Sequence, residues 1–365
     1  MRIAILSADV AGGHDAAAKT LREQLLQLRP DAEITIDNGL EATGALLHHG
    51  IRDGFRIQLG SSSGSYDVML GLLSKRPVVA AARAALGAVG SRGVRRLLDG
   101  RRPDLVVSLY PVVTSVVGRL RERGELDAPV VAPIPDASPH PMWLHPAVDL
   151  HLVPTPGDVE RMRAACAGAS VRHVRPLLGD EFLGAPPSRE EARERTGLGG
   201  DEPWVVVDHS AWNVPPVQEL VDPLLARTDA RAVVMAAGWE EELVRDVRER
   251  YAHTSRVQVR DDGDDKPVLY AAADFVLTTV ASTTAFAASA MGTPPLLFRE
   301  LAGHGTASAE SASHEGLVLW ARTVEELGRI VSGEPPWPEV ASAAVAAGRR
   351  LLEAQPAAEA ILELG

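Results

Sequence analysis

Cysteine and lysine are nearly missing from this chain of 365 residues. Cys166 stands alone, and Lys19, Lys75 and Lys266 are the only lysines among 37 basic residues. One cysteine excludes an internal disulfide framework and any cysteine-based metal cluster. No apolar run approaches the ~20 residues of a membrane-spanning helix. The apolar start Ile3 to Leu6 is too short for a signal peptide, so a cytoplasmic protein is expected. The formal net charge of −12 gives nonspecific nucleic-acid binding little electrostatic support. The arginine excess is therefore not read as phosphate recognition without a specific site. Three motifs are also missing: Gly-x-Gly-x-x-Gly, the Gly-x-x-x-x-Gly-Lys-Ser/Thr loop and the Gly-x-Ser-x-Gly elbow. Their absence disfavours dinucleotide binding, P-loop phosphoryl transfer and α/β-hydrolase chemistry.

Short β-rich runs alternate with amphipathic helical stretches. Strands are predicted over residues 2–7, 33–36, 104–109, 128–132 and 149–153, with helices over His14 to Leu28 and Val112 to Arg123 between them. The turn-rich Gly184-Ala185-Pro186-Pro187-Ser188 and a charged helix follow. The alternation then restarts, with strands over 204–208, 230–236, 256–259, 274–277 and 295–298. This is the pattern of an α/β chain with two Rossmann-like, doubly wound parallel sheets. The expected division is residues 1–182, then 183–337, with helices of 338–365 returning to the first domain and a cleft between the two. The Leu40 to Leu86 stretch reads as helices and a mobile loop around Gly60 to Ser65.

Polar residues gather in five segments, four directly following a predicted strand and one closing a run that starts at a strand end. Ser7-Ala8-Asp9-Val10-Ala11-Gly12-Gly13-His14-Asp15 joins the first strand to the first helix. Gly12 and Gly13 let backbone approach a ligand, the helix start offers N–H groups, and His14 is placed to act as a general base. A plain tight turn is the competing reading. Pro135 to Pro146 carries Asp136, His140, Trp143 and His145 in a proline-stiffened loop. Asp136 is read as a base or the orienter of one, and Trp143 as a stacking platform or a core residue. The spacing of His140 and His145 fits no compact zinc pattern, so no metal is assigned.

Asp208 to Pro216 sits where a phosphate loop belongs, yet it has no glycine and two prolines. Ser282, Thr283 and Thr284 are helix caps or hydroxyl donors to a diphosphate. Arg299, Glu300 and His304 share a loop suited to a sugar or phosphate.

Together these residues resemble a known family. Ala11-Gly12-Gly13-His14-Asp15-Ala16-Ala17, Tyr110-Pro111, Gly118-Arg119-Leu120 and Asp136 through Asp149 are similar to the monogalactosyldiacylglycerol-synthase-like glycosyltransferases, relatives of the peptidoglycan GlcNAc transferase. Trp212-Asn213-Val214 with Glu219, Tyr270 to Asp274, Gly292-Thr293-Pro294 and Gly303-His304-Gly305 extend the likeness to nearly the whole chain. The resemblance implies the GT-B fold and inverting transfer from a nucleotide sugar, usually UDP-linked, to a hydroxyl of a small-molecule or lipid acceptor, without a nicotinamide cofactor. His14 aligns with the proposed base. Gly12, Gly13, Asp136, His140, Trp143 and His145 would line the acceptor side. Ser210, Trp212, Asn213, Ser282, Thr283, Thr284, Arg299 and His304 would meet the donor.

The chain departs from the family on the donor side. The glycines of the phosphate-approach loop are replaced by His209 to Pro215. Ala281 and Thr283 stand at two further glycines, and Ala287 stands at the ribose-holding glutamate. An unpaired ribose would cost about 1–3 kcal/mol. Two rival readings follow: a GT-B protein that has lost nucleotide-sugar use and binds a ligand or partner or does other chemistry, and, more weakly, a two-domain sugar-nucleotide epimerase. The basic residues near Leu40 to Leu86 are too few for strong attraction to anionic lipid, so membrane contact has no support in the sequence.

Overall fold

The computed structural model describes residues 1–10, 12–60, 71–73, 75–208, 213–236, 238–261, 265–301 and 304–365, the side chains of 55–60 and 304 excepted. The loop expected at residues 61–65 lies outside them. The chain forms two compact units. Unit 1 takes Met1–Leu177, Ala302–His304 and Glu353–Gly365, and unit 2 takes Leu178–Leu301 and Gly305–Leu352.

Unit 1 is built on a parallel six-stranded sheet in the order β2-β1-β3-β4-β5-β6. The strands are β1 (Arg2–Ser7), β2 (Glu33–Asn38), β3 (Leu105–Ser108), β4 (Val130–Pro133), β5 (Leu150–Val153) and β6 (Val171–His173). Ile3 to Leu6 are all buried, as continuous apolar runs must be when helices cover both faces. Helix α1 (Gly13–Leu28) turns Ala17, Ala18, Leu21 and Leu25 into that core. The chain's last helix packs there too, through Ala357, Ala358, Ala360 and Ile361.

After α2 (Gly39–Ala42) and α3 (Ala45–Gly60) comes the long α4 (Arg76–Arg101), which packs on α5 (Pro111–Glu122). Glycines on α4 make the approach possible. A Cβ on Gly87 would sit 2.8 Å from Arg119, and one on Gly90 2.8 Å from Val116. On Gly93 it would sit 2.0 Å from the carbonyl oxygen of Ala42. Helix α6 (Pro156–Ala165) connects β5 to β6.

Unit 2 repeats the plan. Helix α7 (Arg189–Thr196) leads to β7 (Trp204–Val207), α8 (Gln218–Arg227), β8 (Arg231–Met235), α9 (Glu241–Tyr251) and β9 (Val257–Arg260). Then come α10 (Lys266–Ala272), β10 (Phe275–Thr278), α11 (Thr283–Ala290), β11 (Pro295–Phe298), α12 (His304–His314), β12 (Leu319–Ala321), α13 (Val324–Val331) and α14 (Trp337–Leu351). The sheet is parallel, in the order β12-β11-β10-β7-β8-β9. Connections from β7 run one way, to β8 and β9. From β10 they run the other way, so the topological switch point lies between β7 and β10. Helix α15 (Ala357–Leu362) closes the chain in unit 1, where the amide of Arg175 donates to the Gln355 carbonyl at 2.9 Å.

The tight α4 contact gives a stability test. Gly93→Ala forces backbone apart and should cost about 1–3 kcal/mol, lowering the thermal midpoint by several degrees. Gly100→Ala, on the same helix with nothing within 4 Å of the added carbon, should cost nothing. Equal midpoints for the two variants would refute the close approach.

Candidate active site

In unit 1 the carboxyl ends of β1, β3 and β4 bring three loops to one edge. Gly12 lies in the left-handed region (φ 79°) and caps α1, a conformation glycine takes at no steric cost. The Ser7 hydroxyl donates to Asp15 Oδ1 at 2.5 Å, tying the end of β1 to the first turn of α1. Between these two fixed points stands His14, partly buried. Its ring meets that of Tyr110 edge-on, centroids 5.0 Å apart, and that of Trp143 at 5.9 Å. Asp136, after β4, lies within the electrostatic reach of His14. Burial pushes its carboxyl above the usual range, and the charge of His14 pulls in the opposite sense. A carboxyl beside an imidazole is the combination that a general base with a partner uses.

The loop carrying Asp136 is held from behind. Ser138, at φ 54°, donates its amide to Asp158 Oδ1 at 3.1 Å. Asp158 is fully buried and also takes the Thr155 hydroxyl at 2.8 Å and Arg161 at 3.0 Å. His140 Nδ1 accepts from the Met142 amide at 3.2 Å, capping a short helical turn over Pro141–Trp143. Trp143 is 5% exposed and packs with Ile134, Leu144, Val153 and Met162, so most of its ring is core.

His145 lies inside the unit. Its Nδ1 accepts from the Ala147 amide at 3.1 Å, and its own amide donates to His151 Nε2 at 3.2 Å. Its ring occupies the space over Gly118, where a Cβ would come within 2.3 Å. Burial holds His145 and His151 down at about 4, so both are neutral near pH 7.

A second polar group borders this edge. Asp9 accepts from Asn38 Nδ2 at 2.9 Å, lies 2.9 and 3.1 Å from His48 Nε2, and pairs with Arg52 at 3.2 Å. Burial opposes its charge. The hydrogen bonds from Asn38 and His48 and the charge of His48 outweigh it, and the net pKa falls. Sequence reasoning did not single out Asn38, His48 or Arg52 as site residues. The available signal was the pair His48 and Arg52, four apart on one helix face.

In unit 2, Ser210 and Trp212 lie outside the described residues, and so does the side chain of His304 in unit 1. Asn213 is left-handed (φ 52°), and its Oδ1 accepts from the Val217 amide at 2.8 Å. Ser282 and Thr284 are partly exposed and Thr283 exposed at the start of α11. The rest of α11 is buried, Ala287 at 3% included, so no side chain from its later turns faces outward. Arg299 is exposed and left-handed (φ 53°), its guanidinium over the Phe298 ring. Glu300 accepts from Trp320 Nε1 at 3.2 Å.

Nearer the switch point, Asp208 is 4% exposed. It takes a hydrogen bond from the Tyr270 hydroxyl and pairs with Lys266 at 2.7 Å. Among the described residues no group of three His, Cys, Asp or Glu is placed to hold a metal, and no helix is long and apolar enough to cross a membrane.

Two parallel α/β units with their polar loops at the carboxyl edges define the class: this is the GT-B fold of glycosyltransferases. Solved structures agree along their whole length. The Acinetobacter baumannii MurG structure covers 100% of this chain and 98% of its own at 14% identity and a TM-score of 0.57. The spinosyn rhamnosyltransferase SpnG with spinosyn aglycone covers 100% of both at 17% and 0.62. Anabaena Alr3699/HepE with UDP-glucose covers 100% and 97% at 15% and 0.58.

Residues 14–175 match the family described as monogalactosyldiacylglycerol (MGDG) synthase. A processive diacylglycerol beta-glucosyltransferase of Bacillus licheniformis is 21% identical over 247 residues, 67% of this chain. The match spans 63% of that relative's length. The chain thus has the GT-B fold, and its first half is similar to the MGDG synthase family.

The neutral histidines predict a pH dependence. Their folded pKa values lie below the unfolded value of about 6.5. The unfolded chain therefore binds more protons between pH 6.5 and 4, and stability falls as pH drops through that window. Each group contributes roughly 3 kcal/mol over the full range. Denaturant melts at pH 7, 6 and 5 should show a smaller loss for His151→Gln than for the wild type. Parallel losses would refute the assignment.

Proposed function

We propose that the chain is an inverting glycosyltransferase that moves a sugar from a nucleotide sugar, most simply a UDP-linked one, to a hydroxyl of a small-molecule or lipid acceptor. The observation that carries this reading is His14 at the carboxyl edge of unit 1, packed against Tyr110 and Trp143 within the field of Asp136. The named activity of the Bacillus relative supports a lipid acceptor, and the HepE structure with UDP-glucose supports the donor class.

In this reading His14 takes the proton of the acceptor hydroxyl. The freed oxygen attacks the anomeric carbon as the bond to the diphosphate breaks, so the configuration inverts. Asp136 favours the imidazolium that forms. Gly12 and Gly13, both exposed, give the acceptor backbone to lie against, and His140 and Trp143 border it. In unit 2, Asn213, Ser282, Thr283, Thr284 and Arg299 are the described donor-side groups. The α11 N-terminus offsets charge developing on the leaving diphosphate.

One observation favours the second reading, a GT-B protein without nucleotide-sugar use. Ala287 is buried where a ribose-holding carboxylate would be needed.

His14→Ala should lower transfer from UDP-sugars to diacylglycerol or small hydroxylated acceptors by about 10²–10⁴-fold, with the thermal midpoint unchanged. Asp136→Asn should lower it less. Unaltered turnover in His14→Ala would remove the base assignment. Absence of transfer from every nucleotide sugar by the wild type would favour the second reading.

A further inference from the structure

The donor edge of unit 2 has few ways to meet a diphosphate through backbone. There is no glycine between Asp208 and Val221, and Pro215 and Pro216 supply no N–H. At the turn into α11 the chain carries Ala281, Ser282 and Thr283. A Cβ at each of these positions narrows backbone approach compared with glycine. A side chain is then needed beside the α11 N-terminus to balance a diphosphate.

A cation is held at this place. Lys266, one of three lysines in the chain, opens α10 and reaches the carboxyl end of β7, where its ammonium lies 2.7 Å from Asp208 Oδ2. Its side chain is 31% exposed, against 6% for that of Asp208. The same carboxylate oxygen accepts from the Tyr270 hydroxyl, and Thr284, in the first turn of α11, lies close enough to act on the Tyr270 phenol. One network thus joins the end of β7, α10 and the start of α11 across the switch point, the place where open α/β sheets bind ligands.

The arrangement leaves Asp208 provided for if the ammonium turns outward. Burial and the neighbouring carboxylate hold the Tyr270 phenol well above its ordinary range, so it remains a donor to Asp208. Lysine suits such a movement, being a compact charge on a flexible four-carbon stem.

We propose that Lys266 is the cation that meets the donor's phosphates, and that Asp208 and Tyr270 are positioning residues that hold its ammonium at the β7–β10 edge. This rests on the nucleotide-sugar reading above. It carries a consequence of opposite sign for the two partners. Asp208 competes with the phosphates for Lys266, so removing its charge strengthens binding, whereas removing the ammonium weakens it. A network that serves only the fold predicts that both losses weaken binding.

The test is calorimetric titration of the full chain with UDP, inorganic pyrophosphate and uridine, using wild type, Lys266→Met, Lys266→Arg and Asp208→Asn. Lys266→Met should weaken UDP and pyrophosphate by roughly tenfold or more and leave uridine unchanged. Lys266→Arg should keep most of the affinity, and Asp208→Asn should tighten UDP binding. The Lys266→Met and Lys266→Arg pair decides the matter if Asp208→Asn does not fold. UDP binding untouched in Lys266→Met, or weakened equally in Asp208→Asn, overturns the proposal and leaves the nucleotide-sugar reading in place. Lysine-dependent pyrophosphate binding with no gain for UDP keeps the anion site and overturns the nucleotide. No binding of either phosphate by the wild type overturns both.

Discussion

Burial of a parallel sheet on both faces is the constraint on which the rest depends. When helices cover both faces, strand side chains become core and the sheet interior has no room for reactive groups. Chemistry is pushed to the strand ends, and in parallel sheets those ends point the same way. Both units obey this. Ile3 to Leu6 and Val205 to Val207 are buried, and polar character begins directly after them, at Ser7 and Asp208.

The two units use equivalent positions differently. Each has a first strand beside its switch point. In unit 1 the strand leads through the left-handed Gly12 to His14, with Asp136 held nearby on a proline-stiffened loop. In unit 2 it leads to Asp208, a carboxylate already matched by a lysine and a tyrosine. The first arrangement suits the removal of a proton from a ligand. The second holds a lysine cation at the strand end, the feature on which the proposal for Lys266 rests. The same backbone plan therefore supplies two electrostatic environments, set by one or two side chains each.

Desolvation sorts the histidines. His145 and His151 lie deep enough that the charged form is costly, and each uses a ring nitrogen to satisfy a backbone group, so they brace the loop that carries Asp136. His14 sits at the rim, partly exposed between two aromatic rings. His48 is drawn to a carboxylate. The same residue type has three roles because dielectric and neighbours differ, not because the sequence around it does.

Much of the fold was legible because Val- and Ile-rich runs flanked by turn residues have few other uses. The strands at Arg2–Ser7 and Pro295–Phe298 follow from such runs alone. The edge strands Val171–His173 and Leu319–Ala321 did not show, since three residues carry too little pattern and their pairing partners supply the stability. The Gly-Gly-His turn was visible because only glycine takes the Gly12 conformation cheaply and because a histidine beside it invites a chemical reading.

The sequence places His145 in the loop expected to line the acceptor side. Its interior position is set by Gly118, 27 places earlier, whose missing side chain leaves room for the ring. The sequence by itself determined the two βα alternations and the loops that carry polar groups, because hydrophobic periodicity is local. Only the tertiary structure decided that Asp9 meets His48, that Asp158 latches Ser138, and that Lys266 meets Asp208 58 places away. Those pairings depend on which strands lie side by side, and strand order is fixed by packing across the whole sheet.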